Sequence, residues 1–241
     1  MLRSARDLRG YTIQAIDGPI GTVYDGYFDD QVWTIRYLVV ETGSWLSGRR
    51  VLLSPVALDT PEWETKTLPV KLTQEQVKGS PPVDTDKPVS RQMEEQLHAH
   101  YGWPPYWVST RALAAVQVVE QKYEDEAGED LTLRSVREVI GYDIRATDGK
   151  VGHVEDFVVD DGSWVIRYMV VDTRDWLPGR KVLVAPAWID AVTWPERDVY
   201  VGLSRETVKN SPEFDPSDPV NREYELRLYD YYGRPKYWTR V

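Results

Sequence analysis

The chain contains no cysteine, which excludes disulfides, thiol catalysis and cysteine-ligated metals together and suits a reducing cytoplasm. It also lacks a long apolar run. The best stretch, ALAAVQVV at 112–119, falls far short of the roughly 18 residues that a membrane helix requires. The opening residues carry charges at positions 3, 6, 7 and 9 and have no apolar stretch of the secretory kind. A cytoplasmic protein is expected, with no membrane span and with room only for peripheral association. Positive charge is in short supply as well: the formal net charge is −10. Phosphate backbones repel such a chain, so nucleic acid is disfavoured as a partner.

Chemical signatures are equally scarce. Histidine occurs only at 98, 100 and 153, and there is no three-ligand cluster of the kind that zinc needs. No G-x-S-x-G, phosphate-binding loop or dinucleotide fingerprint is present. No catalytic, cofactor-binding or metal residue is assigned, and no cofactor is expected.

What the chain does have is a repeat. Residues 2–107 recur at 133–238 with a constant offset of 131 and no gap, matching at about half of their positions. The expected organisation is a first domain at 1–107, an acidic and partly helical linker at 108–132, and a second domain at 133–241. Aromatic content is 12%, with 10 Trp and 15 Tyr against 3 Phe, as suits amphipathic strands whose rings keep one wet end.

Within the first copy, YTIQAID (11–17), IGTVYDGYF (20–28), WTIRYLVVET (33–42) and RVLLS (50–54) read as strands, followed by short strands in VALDTPEWE and TKTLPV. A two-residue hairpin turn is predicted at Asp30–Gln31, and at Asp161–Gly162 in copy two. Thr73 with Gln76 forms the signature of a capping box for a short helix, with Ser204 as the matching cap. Pro81 and Pro212 end these helices. A second helix is predicted from Ser90 or Asn221, with Met93, Leu97 and Tyr101 at helical spacing, matched by Tyr224, Leu228 and Tyr232. Aromatic tails follow, YGWPPYW (101–107) and YGRPKYW (232–238), expected to fold back over their own barrel or the neighbouring one. The fold class is thus mainly β: two small tandem barrels, each with short helices and an aromatic tail.

A two-residue turn would set Asp25 across from Arg36 and Asp156 across from Arg167, which predicts structural cross-strand ion pairs in both copies. Asp29, Asp30, Asp160 and Asp161 could ligate a hard cation, although turn formation is the ordinary use of such residues. His98 and His100 align with Tyr229 and Tyr231, and His153 with Thr22. A histidine-based reaction would therefore be missing from one copy. The basic and aromatic groups Trp45, Arg49 and Arg50, and Trp176, Arg180 and Lys181, form a candidate partner surface, because Trp and Arg are frequent interface anchors.

The ordered pattern DGPIGTVYDGYFDD…WTIRYLVVETGSWLSGRRVLLSP, with DGKVGHVEDFVVDD…WVIRYMVVDTRDWLPGRKVLVAP as its partner, resembles the PRC-barrel family over roughly residues 5–80 and 136–211. That family includes the cytoplasmic part of the photosynthetic reaction centre H subunit and, more distantly, the C-terminal domain of a ribosome maturation factor. The resemblance implies a six-stranded barrel in each half that acts by docking, with no catalytic residues to carry over. The expected function is a non-catalytic interaction or scaffolding module, associated with a membrane electron-transfer complex if it follows the H subunit. Its partner would be another protein, or the two barrels would pair with each other as a pseudo-two-fold. The alternatives are a small-molecule or ion-responsive enzyme or sensor, and a ribosome-associated assembly factor.

Overall fold

The computed structural model describes residues 1–83, 89–107, 133–173 and 180–239. The linker at 108–132 and Trp176 lie outside the described residues. Copy one contains β1 (Leu2–Ser4), β2 (Thr12–Ala15), β3 (Gly18–Asp29), β4 (Thr34–Glu41), β5 (Arg50–Leu53) and β6 (Thr67–Pro69), then helices α1 (Gln74–Lys78) and α2 (Arg91–Tyr101). Copy two contains β7 (Leu133–Ser135), α3 (Val136–Val139), β8 (Asp143–Ala146), β9 (Gly149–Asp160), β10 (Ile166–Asp172), β11 (Lys181–Val184), β12 (Ile189–Thr193) and β13 (Asp198–Val201), then α4 (Arg205–Lys209) and α5 (Arg222–Tyr232).

The compact units do not follow the sequence copies. One comprises Met1–Leu8, Val32–Ile35 and Ser135–Val241, and the other Arg9–Gln31 and Arg36–Arg134. At both N-terminal strands the compact units divide the chain differently from the sequence copies. In the unit built mainly from copy two, the sheet order is β11-β10-β9-β8-β13-β12, and β1 pairs with β9. In the unit built mainly from copy one, the order is β5-β4-β3-β2-β6, and β7 pairs with β3.

Strand β1 is held by more than its ladder, which sets Leu2 against Asp160, Arg3 against Val159 and Ser4 against Val158. The Ala5 N–H donates to the Phe157 carbonyl at 2.8 Å. The buried carboxylate of Asp156 accepts the Ser4 hydroxyl and the Arg6 N–H. Arg3 pairs with Asp161 at 2.7 Å. Burial raises the Asp156 pKa, and these hydrogen bonds oppose the rise. In the other unit, Leu133 of β7 enters the apolar cluster of Tyr27, Tyr37, Val39, Leu52, Val89 and Leu97.

The hairpin between β9 and β10 is longer than the two-residue turn predicted for it. The strands end at Asp160 and resume at Ile166, with Trp164 at φ 59°, and Trp33 takes the same left-handed conformation at φ 52°. The Asp29 and Asp160 carboxylates accept N–H groups two residues on, from Gln31 and Gly162, the local bond that makes Asp a turn residue. This longer loop and the register shift between Ile166 and Tyr168 set Asp156 opposite Val170. The expected Asp156–Arg167 cross-strand pair is thereby displaced, and Arg167 pairs with Asp160 at 3.3 Å. Arg36 does the same with Asp29 at 3.2 Å, while the Asp25 carboxylate accepts the Gly26 N–H.

Glycine is required where backbones nearly touch. A Cβ on Gly21 would stand 2.1 Å from the Glu41 carbonyl oxygen, and one on Gly152 would stand 2.0 Å from that of Asp172. Both contacts are with rigid backbone, so the strands would have to separate. The short helices follow the sequence expectation: Thr73 and Gln76 form the capping box, and Ser204 accepts the Thr207 N–H. Each helix is also tied to a hairpin, since Asp17 accepts the Gln74 N–H and Asp148 the Arg205 N–H, both at 2.7 Å.

Two outcomes follow for chemical denaturation. Gly152→Ala is expected to cost about 3 kcal/mol, whereas Gly162→Ala, whose nearest neighbour is an Asp160 side-chain oxygen at 3.5 Å, stays within about 0.5 kcal/mol of wild type. Removing residues 1–8 should destabilise the unit carrying β9 by about 4 kcal/mol or more, at about 1 kcal/mol for each of the four hydrogen bonds named above, the ladder aside. An unchanged denaturation midpoint would show that β1 is dispensable.

Candidate functional site

The residues expected to form a partner surface are largely engaged within their own units. Arg49 donates to the carbonyls of Lys78, Ser80 and Pro81 and, at 2.7 Å, to the Ser80 hydroxyl. It thus satisfies the acceptors left open at the C-terminal end of α1. Arg180 serves the Ser211 carbonyl in the equivalent way. The Arg50 guanidinium stacks 3.8 Å from the Tyr24 ring centre, and Lys181 pairs with Glu155 at 2.8 Å. Trp45 is half-buried in its loop.

The carboxylates considered for a cation are likewise occupied. Asp30 pairs with Arg134 at 3.0 Å, Asp161 with Arg3, and Asp29 and Asp160 with the hairpin arginines. Burial opposes ionisation of Asp160, but the Gly162 N–H and Arg167 outweigh it and hold the pKa below the usual carboxylate range. No group of three or more His, Cys, Asp or Glu side chains among the described residues could hold a metal ion.

Polar chemistry concentrates instead around one buried glutamate in each copy. Ser90 caps α2 by accepting the Met93 N–H, and Gly102 ends the helix in the left-handed conformation at φ 69°. Asn221 and Gly233 do the same for α5. This framing turns the apolar stripe of α2 and one carboxylate, Glu94, toward the sheet. Glu94 is 1% exposed and its counterpart Glu225 is 2% exposed.

Glu94 Oε2 pairs with Arg91 at 2.7 Å. Its Oε1 accepts the hydroxyls of Tyr37, from β4 at 3.1 Å, and Tyr106, from the tail. The carboxylate therefore joins barrel wall, helix and tail. Glu225 repeats the arrangement with Arg222 at 2.9 Å, Tyr168 at 2.7 Å and Tyr237 at 2.9 Å. Hairpin arginines then cover the tail rings: Arg36 lies 3.9 Å from the Tyr106 centre and Arg167 lies 4.1 Å from that of Tyr237. Helix arginines cover the tryptophans, Arg91 at 4.6 Å from Trp107 and Arg222 at 4.1 Å from Trp238.

Low dielectric shapes the titration of these groups. Burial raises the Glu94 pKa, while the Tyr106 hydrogen bond and the Arg91 charge pull against it. The phenols of Tyr37, Tyr106 and Tyr168 are pushed far above their ordinary value, by burial first and then by the neighbouring carboxylate and phenols. That of Tyr237 is pushed up to about 12 by burial and by Glu225. These tyrosines are therefore hydrogen-bond donors at neutral pH.

Among the side chains that contact the barrel-wall tyrosine, the two copies differ at His98. His98, 7% exposed, places Nε2 2.9 Å from the Tyr37 hydroxyl and Nδ1 3.1 Å from the Pro104 carbonyl. Copy two has Tyr229 there, its ring centre 6.4 Å from that of Tyr168. His100 contacts the Gln76 carbonyl at 2.8 Å, and Tyr231 donates to the Thr207 carbonyl at 2.7 Å.

Sequence reasoning assigned no role to either glutamate, because a Glu in a charged helix looks solvated. The available signal was the duplicated R-x-x-E, one turn apart and followed twelve residues after the Glu by Tyr. Replacing Glu225 by Ala leaves the buried Tyr168 hydroxyl unsatisfied, so a loss of about 3 kcal/mol is expected in chemical denaturation. A red shift of tail tryptophan emission should accompany it, and an unshifted spectrum would show that the glutamate does not fasten the tail.

Two stretches of the chain, residues 2–72 and 132–201, match the family model of the PRC-barrel domain. No curated protein matches the chain.

Proposed function

The chain belongs to the PRC-barrel family, and from that premise we propose that it is a non-catalytic scaffold whose two copies dock protein through their aromatic tails. One observation carries this reading: in each copy a buried glutamate fixes a half-buried cluster of Tyr and Trp, with Arg stacked on its rings. Trp, Tyr and Arg are the residue types that anchor protein interfaces. Rings held in place before binding lose little conformational entropy on docking.

In copy one, Tyr101 and Trp103 stack with centres 4.2 Å apart and planes 16° from parallel, and Trp107 lies edge-on to His98 at 4.6 Å. In copy two, Trp238 lies edge-on to Tyr229 at 5.1 Å. All these rings except His98 and Tyr229 keep part of their surface exposed. The internal engagements of Arg49, Arg50, Arg180 and Lys181 favour the tails over the loops first considered. The resemblance to reaction centre H subunits suggests a membrane electron-transfer complex as the assembly served. No described helix is long and apolar enough to cross a membrane, so such an association would be peripheral.

Affinity capture from the native host's lysate tests the reading. The wild-type chain should retain one protein at fixed stoichiometry, and the double variant Trp107→Ala with Trp238→Ala should lose it while keeping its circular dichroism spectrum. Retention by the double variant would place docking elsewhere. Recovery of ribosomal material would favour an assembly factor, and a saturable small-molecule response with no protein bound would favour a sensor.

A further inference from the structure

Four contacts in the Glu94 network compete for three hydrogens. The contacts are His98 Nδ1 to the Pro104 carbonyl, His98 Nε2 to the Tyr37 hydroxyl, Tyr37 to Glu94 Oε1, and Tyr106 to Glu94 Oε1. Each needs one hydrogen between its heavy atoms. An ionised glutamate brings none, a neutral imidazole brings one, and each phenol brings one. The Pro104 carbonyl can only accept, so Nδ1 must carry the imidazole hydrogen. Nε2 is then bare, and Tyr37 must donate to it. That leaves the Tyr37 oxygen facing the Glu94 carboxylate at 3.1 Å with nothing between them.

We propose that this network is a proton-binding site, holding one exchangeable proton on Glu94 whose release unfastens the aromatic tail of copy one. With the proton on Oε1 the order closes: Glu94 donates to Tyr37, Tyr37 to His98 Nε2, and His98 Nδ1–H to Pro104, while Tyr106 donates to Oε1. Without it, one of the four contacts is left with no hydrogen. It is the contact between Tyr37 and Glu94, so the barrel wall loses its bond to the carboxyl group on which Tyr106 of the tail is held. Copy two requires no additional proton. There, two phenol hydrogens serve two contacts, Tyr168 and Tyr237 to Glu225. The single exchange of His98 for Tyr229 thus makes one tail proton-sensitive and the other not.

The charged surroundings are defined on each side. Arg91 from α2 faces Oε2, Arg36 from β4 lies over Tyr106, and Asp29 from β3 acts on Glu94 at longer range while paired with Arg36. His98 is ringed by Trp103, Tyr106 and Trp107 at 5.8, 6.0 and 4.6 Å. Burial disfavours both the carboxylate and the imidazolium, so the proton rests on Glu94 and His98 stays neutral. A carboxyl with a raised folded pKa contributes stability that is complete below its ordinary value of about 4.3 and is lost as pH rises through the folded value.

Difference infrared spectroscopy of the full chain reads the proton directly. At neutral pH the wild type should show a protonated-carboxyl C=O band that disappears in Glu94→Gln and in His98→Tyr, which reproduces the arrangement of copy two. As pH is raised, the wild-type band should fade together with a red shift of tail tryptophan emission. Between about 4.3 and that fade the folding constant should fall with pH more steeply than in either variant, by up to about tenfold per pH unit. No band difference between wild type and Glu94→Gln would overturn the proposal. So would a band that survives in His98→Tyr, since burial alone would then hold the proton. Loss of the band without tryptophan exposure would overturn the link to the tail. These outcomes do not depend on a docking partner, so they are separable from the capture experiment.

Discussion

A carboxylate buried beneath a helix organises each half of this protein. Removing the carboxyl group of Glu94 or Glu225 from water is costly unless its polar atoms are compensated, and compensation comes from three directions. An arginine one turn earlier on the same helix pairs with it, and two phenols, one from the barrel wall and one from the tail, are hydrogen-bonded to it. Because those phenols belong to separate segments, the glutamate is the point at which wall, helix and tail are joined. The tail can hold its rings half-exposed only because its Tyr is fastened inward. Arginines from the hairpin and the helix then stack over the ordered rings.

Duplication separates what the fold needs from what one copy has specialised. The Arg–Glu–Tyr–Tyr set, the hairpin Asp–Arg pair and the arginine that satisfies the end of the short helix all recur. His98 does not, and its replacement by Tyr229 keeps an aromatic ring in the pocket while changing the number of contacts that the available hydrogens must serve. The two copies thus have similar packing and a different proton inventory. A substitution that preserves shape can alter how a surface responds to its surroundings.

The N-terminal strands show that a sequence repeat is not necessarily a folding unit. Leu2–Ser4 lies on β9, and Leu133 with Arg134 belongs to the compact unit of β3. Asp156 is the reason on one side. Its buried carboxylate needs donors, and Ser4 and Arg6 provide them. Repeats with similar strands have similar edges, so pattern alone cannot say which strand completes which sheet.

Sequence by itself determined the hairpin strands, the helix caps, the two aromatic tails and the family, because these follow from local periodicity, turn residues and a repeat that confirms each element twice; strands β1 and β7 carried no such signal. It singled out Arg36 and Arg167 but set them against Asp25 and Asp156. Tertiary structure decided the rest. It paired Arg36 with Asp29 and Arg167 with Asp160, because a longer loop with left-handed Trp33 and Trp164 shifts the register by more than a two-residue turn allows. It engaged Arg49 and Arg180 inside their units and buried Glu94 and Glu225, which no local pattern distinguishes from solvated neighbours. Periodicity along a chain records which face of an element is apolar. It does not record which polar groups that face will meet, and the chemistry of this site consists of those meetings.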